Sequence, residues 1–329
     1  MNKYNISVDC GKAFTKICVA ECGNPSGNIK TDIFPTKTDV VGNLSNLVKA
    51  DVCRIDNGTP IAIGNDNLNI VTSDNDSKRE DITKQCILYG IARNIQSGDI
   101  VNIVIGCPIL EYSNKEKTIE YMDYVIPKGK HTVEITDTNG KTRTVEFGIE
   151  KRIVLPESTG ILYLKPDEFI NTRAIVDIGG RNINAVQANK NGILPSTAIT
   201  AEYGSKLLLK ELSKGLLRVT GGNKYNIQQL QEIIETGYDP LDKKSTAPIV
   251  EKVIHNHLQG ILGILDAEWD NQSTLSLVFV GGTSNVLKRS ITKELPNRAV
   301  FLDDNPKSIQ FSNCKGFLYM LQKVLRERT

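Results

Sequence analysis

From Tyr4 to Asp9, β-branched and polar residues alternate, Cys10-Gly11-Lys12-Ala13 breaks the pattern, and Thr15 to Ala20 resumes it. A period of two on both sides of a glycine-bearing break predicts a β-hairpin whose first strand ends on an acid. The same grammar returns much later. Apolar Ala174-Ile175-Val176 leads to Asp177, a turn over Ile178-Gly179-Gly180-Arg181-Asn182 follows, and a second strand runs from Ile183 to Ala188. The two copies are too far apart for a solenoid repeat, which predicts one copy in each of two domains.

Between the hairpins, residues 50–69 carry short strand signals and turns such as Asp56-Asn57-Gly58. Asp81 to Gln96 places Ile82, Cys86, Tyr89 and Ala92 at helical spacing, and Ile100 to Ile105 reads as a buried strand stopping at Gly106-Cys107-Pro108. His131 to Phe147 alternates around Thr138-Asn139-Gly140-Lys141, where Asn-Gly is a strong hairpin signal. Beyond the second acid-bearing hairpin the pattern turns helical, over Ala201 to Lys214, Ile227 to Thr236 and Ala247 to Trp269. In the last of these, Val250, Val253, Ile254, Leu258, Ile261, Leu262 and Leu265 form one stripe that reads as core. A buried strand, Leu275 to Val280, then runs into Gly281-Gly282-Thr283-Ser284, and Lys315 to Arg326 forms another helix. Strands alternating with helices, with glycines at strand ends, predict α/β layers that bind ligands at the carboxyl edge of their sheets.

Composition sharpens this picture in three respects. The 329 residues suffice for two hydrophobic cores, and a formal net charge of +2 supplies no global attraction for nucleic acid. The seven cysteines are odd in number and scattered without a CxxC pair, which favours neither a zinc site nor a disulfide framework and suits a reducing compartment. The N-terminus enters strand alternation at once, and no apolar run is long enough to span a bilayer, so a cytoplasmic chain without a membrane partner is expected. His131, His255 and His257 are expected on the surface or in a hairpin, without a metal role.

Candidate chemistry gathers at the two acid-bearing turns. Asp9 to Lys16 contains a glycine for close backbone approach (Gly11), a hydroxyl (Thr15) and two lysines (Lys12, Lys16), the parts of a phosphate grip. It is equally an acceptable surface turn. Asp177 with Gly179 and Gly180 strengthens the phosphate reading, since two facing carboxylates would orient a magnesium ion through water. The bland alternative is that each Asp merely opens a turn.

The order of motifs along nearly the whole chain resembles that of the actin-like ATPase superfamily, which shares five motifs with heat-shock chaperones and sugar kinases. Asp9 to Lys16 resembles the first phosphate motif, Pro156 to Tyr163 the first connecting helix, and Asp177 to Asn182, with Arg181 included, the second phosphate motif. Gly281-Gly282-Thr283-Ser284 resembles the adenosine motif and Asn313 to Phe317 the second connecting helix. Within the superfamily the likeness is to the bacterial plasmid-segregation proteins called ParM or StbA and their phage and archaeal relatives. Val104 to Tyr112 resembles their strand-Gly-x-Pro-x-x-x-Tyr signature, and Asp304 to Phe317 their ending. Thr283-Ser284 stands where a third glycine is common, and Cys107 where leucine is usual.

The resemblance implies an actin-like, duplicated ribonuclease H-like α/β fold of two lobes with an ATP cleft between them. Lobe I would cover 1–170 with the helix of 305–329 packing back on it, and lobe II would cover 171–304. It implies an ATPase, with GTP as the alternative nucleotide, that polymerises head-to-tail for plasmid segregation, with a DNA-binding adaptor of ParR type and no direct DNA contact. Glu157 takes the position that orients the attacking water, as an acid at a helix start, with Asp9 and Asp177 as magnesium-facing acids. Glu211 is a candidate for the ribose hydroxyls, with surface salt-bridging as the alternative. The segment Asp32 to Asn46 is a candidate contact loop for the filament. The rival readings are a small-molecule kinase of the same fold and a non-filamentous scaffold or chaperone-type ATPase.

Overall fold

A computed structural model describes residues 1–23, 28–43, 49–72, 78–270, 272–302, 305 and 309–327. The chain divides into two compact units, Met1–Leu164 with Asn313–Thr329, and Lys165–Ser312. Each has its own sheet and its own core.

The first unit begins with the expected hairpin, β1 (Lys3–Cys10) and β2 (Phe14–Glu21), in antiparallel register with Asp9 opposite Lys16. Then follow β3 (Lys30–Pro35), β4 (Lys37–Val40), β5 (Asp51–Ile55), β6 (Ile61–Ile63) and β7 (Ile70–Val71). Helix α1 (Asp81–Asn94) leads to β8 (Asp99–Cys107), α2 (Ile109–Tyr112), α3 (Lys115–Val125), β9 (Gly129–Thr136), β10 (Thr142–Pro156) and α4 (Gly160–Leu164). The sheet order is β3-β2-β1-β8-β10-β9-β5-β6-β4-β7, with β8 parallel to both β1 and β10. The central strands are buried on both faces; β8 reads as a nearly continuous apolar run, whereas β1 alternates and its polar residues Asn5, Ser7 and Asp9 are buried as well. Ile6 and Val8 join the cluster that holds Ile87 and Ile91 of α1. Ser7, pointing the other way, donates to the carbonyl of Cys314 at 2.5 Å, in a helix we number α10 (Ser312–Arg326). Phe317 and Leu321 of α10 are fully buried with Val104 and Leu155, contributing roughly 2–3 kcal/mol each from apolar burial.

The second unit repeats the arrangement. β11 (Arg173–Ile178) pairs antiparallel with β12 (Ile183–Asn189) and parallel with β15 (Leu277–Val280), with β13 (Gly192–Ile193), β14 (Ile199–Ala201) and β16 (Ala299–Val300) completing its sheet. Its described helices include α5 (Ser205–Val219), α6 (Ile227–Thr236), α7 (Lys243–Glu268), α8 (Gly282–Val286) and α9 (Lys288–Glu294). The α7 stripe is core: Val250, Ile254, Leu258, Ile261 and Leu265 are buried, and Val253 and Leu262 pack against them.

Four expectations change. The segment Asp32 to Asn46 is not a loop over its described part, because residues 30–35 pair with β2 and residues 37–40 pair with β6 and β7; residues 44–46 lie outside the described residues, as does Asp304. Helix α5 starts at Ser205 because Ile199–Ala201 pairs with β12 instead. Helix α7 starts earlier, at Lys243, where the Asp242 side chain accepts from the Ser245 amide, a cap that outweighs the missing apolar pattern of its first turn. His257 is buried on the inner face of α7, stacked on Tyr203 with ring centroids 4.9 Å apart; it falls one helical turn before Ile261 on the core stripe. Burial drives its imidazole pKa down to about 4. His131 lies in a hairpin strand but is buried too, 2.8 Å from Asp56, while His255 is half-exposed beside Glu294.

Candidate functional site

In the first unit, parallel pairing of β1, β8 and β10 brings the ends of three strands to one edge. Asp9 sits near the end of β1, buried, with the Lys16 ammonium 3.3 Å from Oδ2 across the hairpin. Gly11 closes the turn, its amide donating to the Phe14 carbonyl at 3.0 Å. A Cβ at Gly11 would lie 2.9 Å from that carbonyl oxygen, so the tight turn requires glycine. Lys12 follows, partly buried. Thr15 departs from its expected place in a phosphate grip. Its side chain is fully buried, with Oγ1 2.9 Å from Thr36 Oγ1 and 3.4 Å from Cys10 Sγ, because every second residue of β2 faces inward. Burial, outweighing the nearby Lys78, pushes the Cys10 thiol up to about 11, so it stays protonated.

Glu157 emerges where β10 ends. Its amide donates to the Cys107 carbonyl at 2.8 Å, and the chain then bends through Ser158 at φ 69° before α4 begins at Gly160. The acid therefore lies in a strand-to-helix elbow ahead of the helix, not at the helix start that the sequence suggested. A positive φ at a serine is a costly conformation, held here by buried surroundings: Ser158 and Thr159 are fully buried, and Thr159 Oγ1 donates to the Pro156 carbonyl at 2.7 Å. Gly106 leaves room for the acid, since a Cβ there would stand 3.0 Å from Glu157 Cγ. The Tyr121 hydroxyl donates to the Gly106 carbonyl at 3.0 Å and fixes that strand end.

The residue that joins these parts is Lys78. Its buried ammonium lies 2.5 Å from Glu157 Oε1 and donates to the Cys10 carbonyl at 2.8 Å, tying the elbow to the Asp9 turn. Burial is the largest influence on this lysine and disfavours its charge, but the Glu157 carboxylate reverses the balance and holds its pKa above the ordinary lysine value. Nothing in the sequence marked Lys78, which sits in the polar run Ser77-Lys78-Arg79-Glu80-Asp81, where a solvated lysine is the default reading. The elbow is backed by α10. The Asn313 side-chain carbonyl accepts from the Gly160 amide at 3.1 Å, and a Cβ at Gly316 would fall 1.9 Å from the Gly160 carbonyl oxygen.

In the second unit, Asp177 and Val280 are paired in parallel register, so the Asp177 turn and the Gly281 loop leave the same sheet edge. Gly281 has φ 89°, and a Cβ there would come within 2.1 Å of Asp177 Oδ1. Thr283 Oγ1 donates to the Gly179 carbonyl at 3.1 Å, stitching the two loops together. The first amides of α5 go to the same turn, Ser205 N to the Gly179 carbonyl at 3.0 Å and Lys206 N to the Gly180 carbonyl at 2.8 Å. Gly204 abuts this turn so closely that a Cβ would meet the Arg181 backbone at 2.5 Å. Arg181 lies 3.7 Å from Glu202. Asn182 Oδ1 and Ser284 Oγ are buried polar atoms without a hydrogen-bond partner among the described residues, and Gly282 opens α8. Glu211 lies elsewhere, on the solvent side of α5, paired with Lys214 at 3.0 Å; that hydrogen bond lowers its pKa.

The residues present fit a nucleotide. Glycine turns too tight for a Cβ stand at both Asp-bearing edges, and two orphaned polar atoms sit in the second. Among the described residues no group of three or more His, Cys, Asp or Glu side chains is built to hold a metal ion. Magnesium bound through water and phosphate needs no such group, so single carboxylates remain compatible with it. No helix among the described residues is long and apolar enough to cross a membrane.

Residues 7–160 match the sequence family described as the N-terminal domain of actin-like proteins. Solved structures align over the full chain. The archaeal actin homolog Ta0583 in complex with ADP superimposes with TM-score 0.69 at 18% identity, covering 99% of each chain. The Alp12 filament structure gives TM-score 0.69 at 24% identity, covering 99% of this chain and 100% of that one. The fold is actin-like. ParM of Bacillus thuringiensis with AMPPNP aligns as well, with TM-score 0.70 at 14% identity over 100% of both chains, so the actin-like framework extends across both units. None of the curated proteins matches the sequence.

Proposed function

We propose that this actin-like chain binds and hydrolyses ATP with Mg2+, GTP being the alternative nucleotide, and assembles head-to-tail into filaments. The observation that carries the nucleotide reading is the buried acid Glu157 held beside the Asp9 turn by Lys78. Phosphoryl transfer needs positioning and charge stabilisation more than covalent chemistry, and this edge is furnished for positioning. Gly11, Lys12 and Lys16 would hold phosphate in the first unit; Gly179, Gly180, Arg181 and Asn182 would do so in the second. Gly281, Gly282, Thr283 and Ser284 would take the nucleoside, and Glu157 would orient the water. Magnesium, held through water by Asp9 and Asp177, would neutralise charge on the phosphates.

The filament reading draws on the structural likeness, since Alp12 is described as a filament. An open polymer needs heterologous contacts between copies. Its service would be plasmid DNA segregation in the bacterial cytoplasm, through an adaptor of ParR type that contacts the DNA, in keeping with the near-neutral charge of this chain. The test is sedimentation and light scattering with ATP, ADP or no nucleotide, run alongside phosphate release. Polymer that forms with ATP and dissolves as phosphate is released is the expected result. Phosphate release without polymer at any concentration removes the filament, and absence of nucleotide binding removes the whole reading.

A further inference from the structure

We infer that Lys78 is the positioning residue for Glu157 in the hydrolytic reaction, an inference that rests on the ATPase reading above. The geometry sets three facts side by side. The Lys78 ammonium lies 2.5 Å from one carboxylate oxygen of Glu157, within hydrogen-bonding distance. It also donates to the backbone carbonyl of Cys10, the residue between Asp9 and Gly11 in the phosphate turn. Both side chains are more than nine-tenths buried, where an opposite charge at hydrogen-bond distance offsets much of the cost of desolvating each. One cation thus fixes where the acid points and ties that position to the turn that would grip phosphate.

A carboxylate that must align a water has two requirements: it must be ionised, and it must not swing. Lys78 supplies both through a single contact, since an opposite charge at hydrogen-bond distance favours the ionised acid and the second bond to Cys10 stops the lysine itself from rotating. Among the described residues, the other groups that act on Lys78, Cys107 and Tyr121 around the pair are acids and thiols. Asp9 and Cys10 lie on the first turn, Cys107 at the end of β8, Glu111 on α2 and Tyr121 on α3. Lys78 is in direct contact with the acid.

The test is a double-mutant cycle on steady-state ATP turnover of the full chain, using Lys78→Met, Glu157→Gln and the double variant. Lys78→Met is expected to lower kcat at least tenfold in the native background and less than twofold in the Glu157→Gln background. Its acid limb of kcat against pH should move upward by about one pH unit or more, because removing the cation raises the pH at which Glu157 ionises. Lys78→Arg, which keeps the charge, should return that limb toward its native position. Equal losses in both backgrounds, or an unmoved acid limb, would overturn the inference. The double variant strands no buried charge; if Lys78→Met alone does not fold, comparing the double variant with Glu157→Gln carries the test. A further loss then refutes the inference; equal kcat supports it if the smaller change Lys78→Gln lowers kcat in the native background, and refutes it if that variant turns over at the native rate. A native chain that turns over no ATP fails the ATPase reading and this inference together, whereas native turnover with additive losses fails the inference alone.

Discussion

Substituting the two adjacent glycines of the Gly281 loop one at a time separates a backbone that is merely tight from one that sets the position of Asp177. Gly281 has φ 89° and ψ 160°, a region that residues with a Cβ occupy at a cost of roughly 1–3 kcal/mol. Alanine there would also press its Cβ to 2.1 Å from Asp177 Oδ1 and 2.9 Å from the Ile178 carbonyl oxygen. The carboxylate must swing away or the loop must shift. Among the described residues, a Cβ at Gly282 meets only Gln310 Cγ at 4.0 Å, an ordinary contact. Gly281→Ala is therefore expected to lower the melting temperature by about 2–12 °C, from about 2–4 °C per kcal/mol for domains of 150–250 residues. Gly282→Ala should stay within about 0.5 kcal/mol of the native protein. Thermal unfolding without nucleotide measures the strain, and titration with a fluorescent ATP analogue, with and without magnesium, measures the displaced carboxylate. An affinity loss of about tenfold or more, confined to the magnesium-containing titration of Gly281→Ala, is the expected result. Equal behaviour of the two variants would refute the reasoning.

Glu157→Ala should keep nucleotide affinity within about threefold while slowing phosphate release at least about tenfold, with polymers living correspondingly longer in a pelleting assay; unchanged turnover would take Glu157 out of the reaction. Gly316→Ala should cost more than about 3 kcal/mol, because its Cβ would overlap the Gly160 carbonyl; thermal melting checks this, and a native-like melting temperature would contradict the packing. Tyr121→Phe leaves the buried Gly106 carbonyl without its hydroxyl donor and should cost about 1 kcal/mol in chemical denaturation. His257 is held neutral by burial, with its pKa lowered from 6.5 to about 4, so between those values the unfolded chain binds a proton that the folded chain refuses. Stability from this residue is complete above about pH 6.5 and declines toward pH 4, by about 1.4 kcal/mol per pH unit at most. Denaturation of His257→Phe beside the native protein should show a flatter acid slope, and parallel slopes would exclude the residue.

Local pattern carried most of what was legible in the sequence. Asp9 and Asp177 stand out because a strand, an acid and a glycine turn are written within ten residues of chain, and the structure places both at the carboxyl ends of parallel-paired strands. Gly281 to Ser284 were visible as a glycine break after a buried strand, and their nucleoside reading came from the resemblance to the adenosine motif. What the sequence concealed is set by contacts between distant segments. Lys78 meets Glu157 across 79 positions and lies in a polar stretch where nothing distinguishes a buried lysine from a solvated one. Thr15 looked like a phosphate ligand by composition, but the pleat of β2 turns its hydroxyl toward Thr36. The left-handed Ser158, which separates Glu157 from its helix, is fully buried and has no local signature. Histidine is neutral to either surface or core, and only the stripe it shares with Ile261 decides for His257.

The packing of α10 on the elbow has a consequence for the newborn chain. During synthesis, residues 165–312 leave the ribosome before Asn313 and Gly316 do, so the second unit is available to fold while the first still lacks its supporting helix. At about 5–20 residues per second, the interval lasts several seconds or more. Through that interval the bend carrying Glu157 has no Asn313 acceptor for Gly160 and no Phe317 beside Gly106. A half-made chain therefore lacks the α10 contacts that back the Glu157 elbow, and on the proposed ATPase reading the water-orienting acid would be completed only after translation has passed α10.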